Sequence, residues 1–353
     1  MDTPELPPNR VRQYRTSRAW SQAELARRAS ISRTAVSAIE IERLVPSVDA
    51  ALALATAFGC TVEDLFNPPT GQPSETEWAW RPGQTPCRYW QAEVRGRVLR
   101  FPAETTPAGV IPHDGVFVNG SAISSDEADP RRTLVVACCD PAAGLLATEY
   151  SRMTGLRLIV LPRPSGQALD LLARGLVHAA GLHFATDREP DANRVAVRDT
   201  LGLGSRLLRV AQWDEGLAVT AESRVSSVNG AIRAGLRWVG RESGSAARRC
   251  LDELLVSRPA PRRFAHDHQG VADAVRSGWA DVGVCHRLTC EEAGLRFLQV
   301  RQEHFDLCHT GDTAGDPRID ALVRVVQSTN YRRLLRELPG YDTTLAGGVE
   351  TVR

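Results

Sequence analysis

Up to Phe66 the apolar positions fall into short blocks with helical spacing. Leu25 and Ala26 share one face, and Val36 and Ile39 share another. Ser21 followed three residues later by Glu24 is a capping box opening a helix over 22–29. Ser30-Ile31-Ser32 then reads as a tight turn, with Ile31 turned inward and Ser32 capping a helix over 33–42. Residues 1–8 read as a loose, proline-containing arm, and 67–76 as a polar, proline-rich linker. Between 78 and 130 the pattern shortens into strand-like runs at 88–94, 97–101 and 115–119, broken by Gly and Pro. The aromatics there (Trp78, Trp80, Tyr89, Trp90) suit a core or an interface better than a base-stacking platform. From Thr133 apolar runs alternate with amphipathic ones. Strands are predicted at 133–138, 157–161, 179–184, 217–220, 236–239, 282–285 and 296–299. Helices are predicted at 142–154, 165–174, 243–255, 268–277 and 319–335. That alternation predicts a largely parallel sheet covered by helices.

The reading is therefore an all-α unit over 9–68, a connecting β-rich segment over 69–132, and an α/β domain over 133–353 whose second lobe spans about 218–303. The chain has 353 residues and a formal net charge of only +1, so any nucleic-acid surface must be local. One such patch exists: between Asn9 and Arg43, eight arginines stand against three acids, a local charge of +5. No apolar run approaches a membrane span, and the first ten residues lack an apolar signal region. A cytoplasmic protein with no membrane association is expected. The eight cysteines form no C-x-x-C pair, so reduced, mostly buried thiols are expected, with no metal and no cofactor.

The helical unit resembles the lambda-repressor/Cro-like, or XRE, helix-turn-helix family. The matching residues are 21–26 (SQAELA), 31–40 (ISRTAVSAIE), 45–47 (VPS) and 62–66 (VEDLF). Ser30 and Glu42 stand where that family often has glycine, which bears on the local backbone. The resemblance implies binding to a double-stranded DNA operator through the helix beginning at Arg33. Gln22 would contact phosphate or brace that helix. Ser32, Arg33, Thr34 and Ser37 lie at its exposed start, where Arg33 either reads a guanine edge or grips phosphate, and Arg43 and Arg10 are phosphate contacts. A single short helix-turn-helix gains specificity by pairing, so a homodimer is expected.

Residues 133–353 resemble periplasmic-binding-protein-like domains of cytoplasmic regulators, related in fold to molybdate- and tungstate-binding proteins. The resemblance rests on 139–146 (CDPAAGLL), 180–184 (AGLHF), 213–219 (WDEGLAV), 241–248 (RESGSAAR), 271–283 (VADAVRSGWADVG), 295–298 (LRFL), 303–307 (EHFDL) and 339–342 (PGYD). It implies two lobes closing on a small-molecule effector, an oxyanion such as molybdate or tungstate or a small organic anion, including a metabolite related to the molybdenum cofactor. Ser243, Gly244 and Ser245 open a helix after a strand, and Ser165 and Gly166 do so on the other lobe, two groups of N–H and hydroxyl donors. Arg241 and Arg248 would add positive charge, and Asp140, His183, Glu215 and Glu303 stand at strand or loop ends where they would face the ligand. Ala246 occupies a position where threonine would supply a further hydroxyl.

No hydrolase, metalloprotease, dinucleotide or phosphate-loop motif appears, and no nucleophile–base pairing stands out, so no catalysis is expected. His266-Asp267-His268 reads as a surface segment rather than a metal site. The combined reading is a ligand-responsive transcriptional regulator. Two alternatives stay open: a DNA-binding protein whose second domain only dimerises, and an enzyme with an autoregulatory DNA-binding domain.

Overall fold

The computed structural model describes residues 9–18, 20–41, 43–66, 77–124, 129–256, 260–313 and 315–353. The expected arm (1–8), Glu42 and the linker (67–76) lie outside the described residues. The chain divides into two compact units between residues 75 and 76.

The first unit holds α1 (Val11–Ser17), α2 (Gln22–Arg28), α3 (Arg33–Glu40), α4 (Val48–Phe58) and α5 (Val62–Phe66). Val11, Leu25, Val36, Ile39, Leu54, Phe58 and Leu65 meet in one core. Two caps are those the sequence announces: Ser21 Oγ accepts from the Glu24 amide and Ser32 Oγ from Ala35; Ser47 Oγ, accepting from Ala50, adds a third. α2 stops because Ser30 turns into the left-handed region at φ 53°. That turn lets the Ile31 amide bond back to Ala26 and the Ser30 amide to Arg27, a Schellman closure that satisfies the last carbonyls. The helix over 33–42 proves shorter than expected and ends at Glu40.

The second unit opens with a five-stranded sheet made of β1 (Glu77–Trp78), β2 (Cys87–Val94), β3 (Arg97–Pro102), β4 (Gly115–Val118) and β5 (Ser121–Ser124), in the order β1-β3-β2-β4-β5. Arg95-Gly96 and Asn119-Gly120, all at positive φ, make the two tight hairpins. The inner face of this sheet is not a separate core. Trp90, Leu99 and Phe101 pack in one cluster with Val135, Leu161 and Leu172 of the α/β body. Asp114 pairs with Arg157 at 2.5 Å, and Arg318 donates to the carbonyls of Glu93 and Thr133.

The rest of the unit is built on a ten-stranded sheet. Its elements in chain order are β6 (Thr133–Cys138), α6 (Ala143–Thr154), β7 (Arg157–Pro162), α7 (Ser165–Ala173), β8 (Ala179–Thr186), α8 (Ala192–Leu201) and β9 (Arg206–Val219). They continue with α9 (Val228–Arg233), β10 (Trp238–Arg241), α10 (Ala246–Leu254), β11 (Arg263–Ala265), α11 (His268–Arg276), β12 (Val282–His286) and α12 (Arg287–Glu292). β13 (Arg296–His309), α13 (Pro317–Gln327), α14 (Thr329–Arg336), β14 (Tyr341–Asp342) and β15 (Val349–Thr351) complete the chain. The order is β11-β10-β12-β9-β13-β8-β6-β7, with β14 and β15 added along β9. Strand residues alternate between two buried faces: Leu134, Val136 and Cys138 pack under α6, α13 and α14, while Val135 and Ala137 pack under α7 and the small sheet.

Four predicted elements of this unit change on folding. The short strands expected at 217–220 and 296–299 are the ends of β9 and β13, each 14 residues long. These two strands pair with each other from Arg206/His309 to Val219/Arg296, so both run through both lobes. Their polar centres, Asp214-Glu215 and Arg301-Gln302-Glu303, break the apolar pattern from which strands are read. The helix expected over 319–335 is two helices, because Ser328 leaves the helical backbone at ψ 140° and caps α14 through the Tyr331 amide. The helix expected to open at Ser243 begins at Ala246, because Gly244 sits at φ 86° and Ser245 is the cap.

Ser30→Gly is expected to relieve the left-handed strain while restoring some unfolded-chain entropy, a net gain of about 0.5 kcal/mol. Hydrogen exchange of the α2–α3 amides in the full chain should slow accordingly; faster exchange would show that serine carries no strain there.

Candidate functional site

In the helical unit the exposed start of α3 presents Ser32, Arg33 and Thr34, with Ser37 half-buried one turn on. Arg43 is exposed just beyond the helix. Gln22 is used inside the protein, where its side-chain amide donates to Glu40 Oε2 at 2.9 Å. Arg15 grips the same carboxylate at 2.5 and 3.0 Å and also donates to the Trp20 carbonyl at 2.8 Å. Glu40 is almost wholly buried. Burial alone would favour its protonation, but the bonds from Arg15 and Gln22 outweigh it and hold its carboxyl below the ordinary value. The brace ties α1 and α2 to α3 and fixes how the helix presents its first turn.

The second candidate lies between the two lobes. β6, β7 and β8 run parallel on one side, and β10, β11 and β12 on the other. Cys139, Asp140, Ser165, His183, Arg241, His268 and His286 all lie at or near the carboxyl ends of these strands, where open α/β sheets place ligands. The lobes touch: the Gly166 amide at the start of α7 donates across to the Gly244 carbonyl at 3.3 Å, and Arg249 pairs with Glu189. A cavity of about 600 Å³ opens between them, lined by Cys139, Asp140, Arg163 and Gln167 from one lobe and Glu242 and His268 from the other.

The crossing strands supply the charges. Register sets Glu303 opposite Trp213 and Arg301 opposite Glu215 on β13 and β9, and His286 of β12 opposite Glu215. A bulge lies between Gln299 and Arg301. Glu303 Oε1 accepts from Arg301 at 2.6 and 2.8 Å, and its Oε2 accepts from Trp213 at 3.3 Å and meets His183 Nδ1 at 2.6 Å. His183 Nε2 lies 3.1 Å from Cys139 Sγ, and the Ser165 hydroxyl accepts from the His183 amide. Burial opposes charge on His183, but Cys139 and Glu303 outweigh it and hold the imidazole well above its usual range. Burial likewise favours a neutral Glu303, but His183 and Arg301 keep its pKa low. Glu215 feels the charges of His183, Arg301 and Arg241 but accepts no hydrogen bond among the described residues. Burial and the neighbouring Glu303 push it up to about 8.

Several fully buried polar atoms here have no hydrogen-bond partner among the described residues: Arg241 Nε and Nη1, His268 Nε2, His286 Nε2, Asp140 Oδ2 and both Glu215 oxygens. The histidine tautomers follow from their other bonds. The His286 amide donates to His268 Nδ1 and the Leu288 amide to His286 Nδ1, both at 3.1 Å, so each ring carries its hydrogen on Nε2. Burial holds both rings neutral, His268 far below its ordinary value and His286 down to about 3. Asp140 accepts from Tyr341 at 2.5 Å and from the Ala142 amide at 2.9 Å, yet burial still raises it to about 6.

Of the residues singled out from the sequence, the fold gathers Asp140, Ser165, His183, Arg241 and Glu303 into this buried centre. It does not gather Ser243, which is exposed, or Arg248, which bonds Asp252 one turn along α10 at 2.8 Å. Ser245 caps α10, and Gly166 and Gly244 are spent on each other. The surface reading of 266–268 is corrected: His266 is exposed, but His268 is buried and lines the cavity, and Asp267 caps α11. Sequence reasoning passed over His286 and Arg301. It quoted Cys139, Trp213 and Tyr341 only within matching segments. Each sits in an apolar run or far along the chain from its partners.

Residues 147–327 match the family model of the PBP superfamily domain, and residues 11–65 match that of a helix-turn-helix domain. Among curated proteins, the chain is 32% identical over 124 residues to the uncharacterized protein YvgK of Bacillus subtilis, covering 33% of this chain. It is 24% identical over 90 residues to an uncharacterized Clostridium pasteurianum protein from the 5′ region of a 2Fe-2S ferredoxin gene, covering 25% of this chain and 80% of that protein. The chain spans 40% of the length of YvgK. Among solved structures it resembles a putative phosphate ABC transporter substrate-binding protein with bound phosphate from Clostridium perfringens. Identity there is 9% and the TM-score 0.48, over 60% of this chain and 100% of that one. It also resembles the effector-binding domain of QuiR in complex with shikimate, at 9% identity and a TM-score of 0.43, over 55% of this chain and 94% of that one.

A carboxyl whose folded pKa lies above its unfolded value binds an extra proton when folded, so its contribution to stability falls as pH rises between the two. For Glu215 that window runs from 4.5 to about 8. Glu215→Gln, which mimics the protonated acid, is expected to raise the melting temperature above wild type at pH 8 and leave it nearly unchanged near pH 5. Equal melting curves at both pH values would show that Glu215 is not held neutral.

Proposed function

The chain belongs to the PBP superfamily, and from that premise, with a helix-turn-helix unit at its N-terminus, we propose that it is a transcriptional regulator that binds a double-stranded operator and responds to a small anionic effector held between its lobes. The division of labour follows the chain: 9–68 for DNA, 69–132 as the connection, and 133–353 for the effector. The observation that carries the effector reading is Arg241. Its guanidinium is buried at 1% exposure, and two of its nitrogens have no partner among the described residues. An uncompensated buried cation is costly, and an anion seated against it removes that cost. The Nε2–H groups of His268 and His286 add neutral donors.

The acceptors narrow the class. Asp140 Oδ2 and the Glu215 oxygen that carries no proton ask for hydrogens from the ligand, which a bare oxyanion does not carry. The effector is therefore a small organic anion with a hydroxyl or amino group. Molybdate or tungstate is the second reading, favoured by the donor set of Arg241, His268 and His286 taken alone. In the operator complex Arg33, Ser32, Thr34 and Ser37 face the groove, Arg43 and Arg10 meet phosphate, and Gln22 acts by bracing α3 through Glu40. Two copies bind together, and effector binding alters the spacing of their helical units.

A thermal-shift panel of hydroxy- and amino-carboxylates beside molybdate, tungstate, sulfate and phosphate tests the effector. A hydroxy- or amino-carboxylate is expected to raise the melting temperature in wild type and not in Arg241→Ala. A shift with molybdate or tungstate alone would replace the organic anion by the metal oxyanion, and a shift that survives Arg241→Ala would remove Arg241 from the site. For DNA, Arg33→Ala is expected to weaken binding to a selected operator about tenfold, which is about 1.4 kcal/mol of lost contact. Unchanged binding would place the DNA surface elsewhere.

A further inference from the structure

No motif assigns chemistry to Cys139, and its sequence neighbours suggest none. The fold sets it in an ordered relay. Its Sγ lies 3.1 Å from His183 Nε2, across 44 residues of chain. His183 Nδ1 lies 2.6 Å from Glu303 Oε2, across 120 residues. Nucleophile, base and orienting carboxylate stand in the order that activates a thiol in acid–base relays. Each member is held by something else. Arg301 and Trp213 fix Glu303; the Trp213 ring, 5.0 Å from the His183 ring, and the Ser165 hydroxyl fix His183. With Nδ1–H donated to Glu303, Nε2 is the ring nitrogen that faces the Cys139 sulfur and shares one proton with it.

The thiol also has somewhere to act. Cys139 is half-exposed and lines the cavity of about 600 Å³ between the lobes. Cys138, Cys250, Cys285, Cys290 and Cys308 are buried. Asp140 and His268 line the same cavity, and each is nearly fully buried with a polar atom that has no partner among the described residues: Oδ2 on Asp140, and an Nε2–H on His268 fit to hold a carbonyl oxygen.

We propose that Cys139 is a nucleophile, activated by His183 and Glu303, that captures electrophilic α,β-unsaturated carbonyl compounds covalently in the interlobe cavity. In the step, the proton shared by the pair sits on His183 Nε2 while the Cys139 sulfur adds to the β-carbon. A C–S bond forms, and the C=C π bond breaks to an enolate whose oxygen His268 Nε2–H holds. His183 then returns the proton to the α-carbon. The sum is addition of S–H across C=C, with no oxidant, reductant or leaving group. Covalent capture deepens the reading of the cleft as the effector site, but the thiol's reactivity is measured independently of any reversible ligand. A silent thermal-shift panel therefore leaves this proposal standing, and an unreactive thiol leaves anion binding standing.

The test is the rate of acrylamide addition to the full-length protein at pH 7, followed by peptide mass mapping of every cysteine. Cys139 is expected to react about tenfold or more faster than the half-exposed Cys60 and Cys87. His183→Gln is expected to slow Cys139 by about 100-fold, and Glu303→Gln by a smaller factor, with the rates at Cys60 and Cys87 unchanged as evidence of a retained fold. Cys139→Ser should lose the mapped adduct alone. The proposal is overturned if Cys139 reacts no faster than Cys60 and Cys87. It is equally overturned if, in a variant whose Cys60 and Cys87 rates are unchanged, replacing His183 leaves the Cys139 rate as it was.

Discussion

The pairing of β9 with β13 is the constraint on which the second unit depends. Because these two strands hydrogen-bond along their whole length, both lobes share one sheet, and the polar residues midway along them are carried to the junction. The cross-strand pairs Trp213–Glu303 and Glu215–Arg301 place two acids, a guanidinium and an indole together where neither lobe alone could shield them. His183 from β8 and His286 from β12 then close on this row from opposite sides.

Burying so many ionisable groups is costly, and the energy balance shows where the cost is met and where it is not. Glu303 is surrounded by donors from Arg301, Trp213 and His183, and stays ionised. Arg241, Glu215, His268 and His286 keep polar atoms without partners among the described residues. A core built only for stability would not leave donors and acceptors of both kinds unsatisfied at one spot. The same junction therefore holds a rigid relay, Cys139–His183–Glu303, next to an unsatisfied receptor surface. The first makes the second's chemistry local to one thiol.

The helical unit uses a buried charge differently. Glu40 is fully compensated by Arg15 and Gln22, and the result is a fixed angle between the helices rather than a binding site. The small five-stranded sheet shows a related economy: its apolar face, with Trp90 and Phe101, completes the core of the first lobe, and Asp114–Arg157 locks the seam.

The sequence by itself determined the elements whose signals are local. The capping serines 21 and 32, the helical periodicity of 22–40, and the continuous apolar runs of 133–138 and 157–161 each reside within a few residues, and the fold keeps them. It also marked Asp140, His183, Arg241 and Glu303 as polar residues at element ends. What only the tertiary structure decided was which of them meet. Strand length at β9 and β13 was hidden, because polar residues interrupt the apolar pattern wherever a strand crosses between lobes. His268 looked like surface because its neighbours His266 and Asp267 are polar, and burial is set by β12 packing over it, not by its neighbours in sequence. Cys139 looked like an ordinary buried thiol because its base lies 44 residues away and the orienting acid a further 120. Side-chain chemistry at a lobe junction depends on distances through space, and a linear pattern carries no information about those until the crossing strands are in place.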